Sequence, residues 1–243
     1  MRRSIIHSFG ETSRLLLGAT LDLARRETLL LSVLLLVAGG VWAFIAIASE
    51  MVEGETQAID RMLLLALRNP TNPDQPIGPE WLQQTALQIT ALGSTTILTL
   101  ITLAAIAWLL LLRKRGEALL LAVAIGGGAL LSTLLKDGFA RPRPDLVPHG
   151  DLVHSLSFPS GHAMSSAVVY LTLAVLLARF QPHRRLKIYL VSLAIALTVL
   201  IGVTRVYLAV HWPSDVLAGW CMGSAWALLC WTVASRWMKD HRA

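Results

Sequence analysis

Charge is what this chain has least of. Only 15% of its 243 residues are Asp, Glu, Lys or Arg, and its mean hydropathy is +0.61, whereas soluble globular domains carry about 25% charged residues. The deficit is concentrated. No Asp, Glu, Lys, Arg or His occurs in residues 28–49, 94–112, 118–135, 163–178, 188–204 or 216–235. About 20 apolar residues in a helix cross a hydrocarbon core of about 30 Å, so runs of this kind read as transmembrane helices. Proton- and ion-coupled transporters place ionisable groups at mid-membrane depth, and their absence argues against that class. Cysteine is also scarce. Cys221 and Cys230 are the two in the chain; on one helix they stand about 13 Å apart, beyond the roughly 7 Å that a disulfide spans.

The expected architecture is all-α: a six-span transmembrane helix bundle with spans at 28–49, 94–112, 117–136, 163–180, 187–204 and 214–236. An amphipathic segment, 1–27, precedes the six-span domain 28–236, and a short tail, 237–243, follows it. Ala46-Ile47-Ala48 resembles a signal cleavage site. The segment ahead of that apolar run is too long for a signal peptide, and so is the run itself, so the stretch is expected to remain as the first span. Of the 21 basic residues, 15 fall on one set of alternate segments. By the positive-inside rule that set, and both termini, are cytoplasmic. The net charge of +6 is thus a topology signal, and nucleic acid is not expected as a partner. Residues 50–93 form an outer segment. Ile59 to Leu67 suggest a short interfacial helix that either roofs a site or anchors at the headgroups, before Pro70, Pro73, Pro76 and Pro79 break regular structure. Gly126-Gly127-Gly128 and the Gly219/Gly223 pair mark close packing, expected within one bundle.

Six basic residues, Arg61, Arg68, Lys136, Arg141, Arg143 and Arg205, fall on the outer segments, against the charge bias. Four of them belong to two polar loops that topology puts on one side. The first reads Lys136-Asp137-Gly138-Phe139-Ala140-Arg141-Pro142-Arg143-Pro144 and, further on, Ser157-Phe158-Pro159-Ser160-Gly161-His162. The second runs from Thr204-Arg205 to His211-Trp212-Pro213-Ser214-Asp215. Phosphoryl transfer needs oxygens neutralised and a nucleophile placed in line with a leaving group. Lys136, Arg143 and Arg205 supply charge without a metal, and arginine grips phosphate bidentately. Ser160 and Gly161 open a helix whose N–H groups face an anion. His162 can protonate a departing oxygen. His211 can attack phosphorus. Asp215, if a helical turn begins near Pro213, can reach the imidazole and fix its tautomer. Zinc between His162, His211 and Asp215 also fits by ligand type, but three cations beside it would repel a metal ion. Arg141 is open between contacting substrate and anchoring at headgroup level. His149 and His154 are expected to face solvent.

Lys136-x6-Arg143-Pro144, Pro159-Ser160-Gly161-His162 and Arg205-x5-His211-x3-Asp215 resemble the three signature motifs of the type 2 phosphatidic acid phosphatase superfamily. They occur in order and at family spacing over residues 136–215. One position departs from the pattern: Thr204 stands where the family usually has serine, and the hydroxyl is kept. The resemblance implies metal-independent hydrolysis with no cofactor. It gives His211 as nucleophile, Asp215 as its partner and His162 as general acid. Phosphate would be bound by Lys136, Arg143, Ser160, Gly161 and Arg205. The implied setting is a bacterial cytoplasmic membrane, with the site on the outer face and a lipid phosphate as substrate: undecaprenyl diphosphate, phosphatidylglycerophosphate or phosphatidate. Lipid-to-lipid phosphotransfer and lipid A dephosphorylation are alternatives within the family. A lipid-phosphate binder or flippase is the non-enzymatic one. Oligomeric state is not written in the sequence.

Overall fold

The computed structural model describes residues 2–146 and 156–240, the side chains of 2–26, 29 and 237–240 excepted. His149 and His154 lie outside the described residues. Among the described residues there are eight helices and, beyond one isolated bridge, no strand. They are α1 (Arg2–Glu53), α2 (Thr56–Leu65), α3 (Glu80–Ala91), α4 (Thr95–Leu111), α5 (Arg115–Phe139), α6 (Gly161–Arg179), α7 (Arg184–Tyr207) and α8 (Pro213–Asp240). The chain divides into two units, Met1–Leu36 and Val37–Ala243. The first is helical from Arg2 onward. The second holds the packing contacts, the motifs and the cavity described below.

Five helical stretches are long and apolar enough to cross a membrane: Leu30–Glu53, Arg115–Phe139, Gly161–Arg179, Arg184–Tyr207 and Pro213–Arg236. Helices α3 and α4 are long and apolar enough only as a pair, bent by 44° at the break between them; counted as one broken span, they bring the total to six. Helices are the economical way to cross lipid because each backbone polar group finds its partner within the segment. The outward faces are apolar: Trp42, Leu100, Leu111 and Leu130 are 71%, 62%, 84% and 62% exposed. In water such a belt would drive aggregation; in a bilayer it is the lipid-facing surface. The chain is a multi-pass membrane protein.

The break at residues 92–94 has a local cause. Ser94 caps α4 by accepting from the Ile97 N–H at 3.3 Å. Gly93 is pressed against α7 and α6: a Cβ there would lie 2.5 Å from Ile201 Cγ2 and 3.2 Å from His162 Cδ2. The charge-free run in the sequence begins at residue 94, at the cap of α4; α3, on the other side of the bend, has no such run to announce it.

Helix α6 packs most closely against α7 and α8, and glycine permits the approach of α8. A Cβ on Gly219 would sit 2.8 Å from the Ser160 carbonyl oxygen, and one on Gly223 2.6 Å from that of Met164. The small-residue pair therefore seats α8 on α6 within one bundle, as expected from the sequence. Gly127 and Gly128 make room for Trp226, whose indole N–H donates to the Ala124 carbonyl at 2.7 Å. Beneath the polar loops, Phe44, Phe139 and Phe158 form an aromatic cluster with centroids 5.0 to 6.0 Å apart. This fixes the end of α5 against the segment entering α6.

Candidate active site

Helix ends place the polar residues. Lys136 sits in the last turn of α5. Ala140 closes that helix in the left-handed conformation, φ 47°, and the chain turns away through Arg141 and Arg143. Ser160 is the N-cap of α6, so Gly161 and His162 begin its first turn. Arg205 lies in the last turn of α7. Pro213 starts α8, with Asp215 in its first turn, which is the start the sequence suggests.

Lys136, Arg143, Gly161, His162, Arg205 and His211 line one cavity of about 400 Å³. Away from the cations its wall is made by Thr95, Thr99, Ser132 and Thr133, then by Leu98, Ile125, Val168 and Val169. Both histidines and all three expected cations thus share a space of ligand size. Ser160 and Asp215 do not line it. Both are fully buried. The Ser160 hydroxyl caps α6, accepting from the Ala163 N–H at 3.5 Å, and the Ser160 N–H donates to the Asp215 carbonyl at 2.9 Å. Through that bond the second motif holds the third.

Each cation is tethered. Lys136 Nζ donates to the Leu156 carbonyl at 2.6 Å. Arg143 Nη1 donates to the Val210 carbonyl at 2.7 Å and lies 3.3 Å from His211 Nε2. Arg205 Nη1 donates to the Thr90 hydroxyl at 3.1 Å. Such tethers hold positive charge in place before an anion arrives, so little reorganisation is needed on binding.

His211 is oriented from behind. Its Nδ1 lies 3.4 Å from Asp215 Oδ2 and 3.3 Å from the Ser157 hydroxyl. A carboxylate accepts only, so this partner assigns the proton to Nδ1 and leaves the Nε2 lone pair toward the cavity. Asp215 Oδ2 also accepts from the Trp212 N–H at 2.9 Å and from the Ser157 hydroxyl. Burial pushes the His211 imidazole below its ordinary value, to about 3; bonding and charge from Asp215 oppose the shift, and Arg143 and Arg205 add to it. The ring is therefore neutral near neutral pH, as a nucleophile requires.

Below about pH 6.5 the unfolded chain protonates this histidine and the folded protein does not. His211 therefore contributes a loss of stability as pH falls from about 6.5 toward 3, roughly 1 kcal/mol per pH unit. The His211→Asn variant lacks that contribution. Its melting temperature should fall less than the wild type's between about pH 7 and about pH 5; parallel slopes would contradict the buried neutral ring.

Two further charged residues have roles the sequence did not disclose. Arg141 neither lines the cavity nor lies at an exposed level. It is 9% exposed, and it pairs with Asp215 Oδ1 at 2.7 Å and with Asp60 Oδ2 at 2.8 Å. Helix α2, which carries Asp60, contributes no residue to the cavity wall; it packs behind Arg141 and does not roof the site. Asp60 sits in an amphipathic-looking outer segment, 81 positions from Arg141. No spacing in the sequence could join them.

Residues 117–239 match the PAP2 superfamily, a stretch that contains all three motifs. Phosphatidylglycerophosphatase B of Bacillus subtilis (strain 168) is 35% identical over 184 residues, which cover 73% of this chain and 82% of that protein. Lipid A 1-phosphatase of Rhizobium etli is 32% identical over 116 residues, 44% of this chain and 46% of that protein. The fold is similar to the crystal structure of a transmembrane PAP2 type phosphatidylglycerolphosphate phosphatase from Bacillus subtilis. The TM-score is 0.68 and the identity 30%, over 84% of this chain and 96% of that one. With its helical membrane bundle and these three motifs around one cavity, the chain belongs to the PAP2 superfamily.

Proposed function

We propose that this PAP2 enzyme hydrolyses the phosphate of a membrane lipid through a phosphohistidine on His211, with phosphatidylglycerophosphate as the first candidate substrate. The observation that carries the reading is the cavity. It holds a histidine Nε2 backed by a carboxylate, a second histidine and three tethered cations. The 35% identity to a phosphatidylglycerophosphatase supports the choice of lipid.

The phosphate oxygens are held by Lys136, Arg143 and Arg205 and by the N–H groups at the start of α6. Nε2 of His211 attacks phosphorus, and the bond from phosphorus to the lipid oxygen breaks. His162, held as imidazolium by the negative charge of the bound phosphate, delivers its proton to that oxygen and becomes neutral, so the lipid leaves as a neutral alcohol. The phosphoimidazole is stabilised through Nδ1–H by Asp215. Water then attacks phosphorus, His162 takes its proton, the N–P bond breaks and inorganic phosphate departs. The apolar part of the wall, Leu98, Ile125, Val168 and Val169, gives the lipid chain a path toward the bilayer.

The basic-residue bias supports cytoplasmic termini and a site on the outer face of a bacterial cytoplasmic membrane. Lipid A dephosphorylation is the second reading, favoured by the 32% identical Rhizobium relative. Lipid phosphate is the expected partner, and a pure binder or flippase would have no use for His162, His211 and Asp215 in this arrangement.

The test is phosphate release by the purified protein in detergent with excess chelator. The panel is phosphatidylglycerophosphate, phosphatidate, undecaprenyl diphosphate, lipid A and soluble glycerol phosphate. We expect kcat/KM for the best lipid to exceed that for glycerol phosphate by at least about 100-fold, because chain burial supplies binding energy the soluble ester lacks. Equal rates on both, or activity only with an added divalent ion, would contradict the proposal.

A further inference from the structure

We propose that Asp60, on α2 and outside the family-matched stretch, is a positioning residue for phosphoryl transfer, acting on His211 through Arg141 and Asp215. The inference rests on the reading of His211 as nucleophile and extends the site to an element that no motif covers.

Asp60 is 2% exposed on a helix whose outward residues include Ile59, Met62 and Leu63 beside Gln57 and Arg61. A lone carboxylate there would carry a large desolvation penalty. Both its oxygens are engaged instead. Oδ1 accepts from the Ser214 N–H at 2.9 Å, and Oδ2 accepts from the Ser214 hydroxyl and from Arg141 Nη2 at 2.8 Å. Arg141 Nη1 donates to the Ser214 hydroxyl at 2.8 Å and to Asp215 Oδ1 at 2.7 Å. Asp60, Arg141 and Asp215 thus form a buried minus–plus–minus chain that ends on the carboxylate facing His211 Nδ1.

The middle charge decides how much of Asp215 is left for the imidazole. With the Asp60 carboxylate in place, Arg141 is shared between two carboxylates, and Asp215 retains net negative potential for the imidazolium character that develops as Nε2 bonds to phosphorus. With an uncharged residue at position 60, Arg141 is balanced by Asp215 alone, and that stabilisation weakens. Neither Asp60 nor Arg141 lines the cavity, so ground-state binding of phosphate should be untouched. A purely structural staple between α2 and α8 would behave differently. Its loss would loosen the site and change binding and catalysis together.

The experiment uses the full-length protein in detergent, with the best lipid phosphate of the panel as substrate and vanadate as binding probe. For Asp60→Asn, which is nearly isosteric, kcat should fall on the order of 10- to 100-fold with KM and vanadate affinity within about twofold of wild type. In an Asp215→Asn background the same substitution should cost less than about twofold, because its effect passes through that carboxylate. If Asp60→Asn does not fold, Ser214→Ala serves in its place: it removes the hydroxyl that donates to Asp60 and accepts from Arg141, which loosens their coupling, and kcat should fall on the order of threefold to tenfold at constant KM. Unchanged kcat, parallel losses in kcat and vanadate affinity, or full additivity with Asp215→Asn would each overturn the proposal. A wild type that releases no phosphate from any lipid overturns the function reading, and this inference with it. A wild type that turns over, beside variants that fail these criteria, overturns the inference alone.

Discussion

Exchange of His211 for asparagine should lower kcat by at least about 10⁴-fold and change KM by less than about threefold. The split follows from the geometry. In the proposed reading substrate phosphate is held by Lys136, Arg143 and Arg205, which have the Leu156 and Val210 carbonyls and the Thr90 hydroxyl as tethers. These remain in the variant, so binding survives. The attacking lone pair belongs to Nε2 alone, and a carboxamide nitrogen has none to offer. The fold should survive as well. Asp215 keeps its pairing with Arg141, the Ser157 hydroxyl and the Trp212 N–H, so the buried carboxylate is not orphaned. Steady-state kinetics on the folded variant checks this. A residual rate within about 100-fold of wild type would mean that phosphorus is attacked by something else.

The second large effect is structural. Gly219→Val should destabilise the protein by at least about 3 kcal/mol and abolish turnover. A Cβ on Gly219 would lie 2.8 Å from the Ser160 carbonyl oxygen, 3.0 Å from Ala163 Cβ and 3.1 Å from the Met164 nitrogen. Two of those are backbone atoms of α6 or its cap, which cannot move aside as a flexible side chain would. Relief therefore requires α8 to part from α6, and the bond from the Ser160 N–H to the Asp215 carbonyl crosses that seam. Stability and the assembly of the second and third motifs fall together. Gly126→Ala is the control. Nothing lies within 4 Å of its Cβ position, and in mid-helix alanine is favoured over glycine by roughly 0.5–1 kcal/mol. Thermal unfolding in detergent should show a large drop for the first variant and none for the second. Equal melting temperatures would contradict the packing account.

Much of this was legible because the bilayer imposes strong rules. Charge-free runs mark the spans, Pro213 marks the start of α8, and lysine, arginine and histidine at the ends of apolar helices have few uses other than chemistry or anchoring. Of the residues that the three motifs name, the fold brings Lys136, Arg143, Gly161, His162, Arg205 and His211 around one cavity and buries Ser160 and Asp215 behind it. What was not legible is equally physical. Asp60 looks like one polar position on an interfacial helix; only the tertiary fold shows that it is buried and meets Arg141. Arg141 looks like a substrate ligand or an anchor because the sequence shows its charge and not its direction. The left-handed cap at Ala140 turns it away from the cavity. Helix α3 has too few apolar residues to announce that it continues the apolar run of α4. Its junction with α4 depends on Gly93 being pressed against Ile201 and His162. The Ser160 hydroxyl is inward as a helix cap, a role that serine before an apolar helical run commonly fills.

The central claim is that phosphate passes through a covalent bond to His211. The measurement that meets it most directly is a rapid quench of the enzyme with lipid carrying a radiolabelled phosphate. Quenching is done in base, because phosphohistidine is acid-labile, and is followed by peptide mapping. The account predicts label on the peptide containing His211, at the imidazole, lost on brief acid treatment and absent from His211→Asn. Label on another residue, or label of the same amount in the variant, would contradict it.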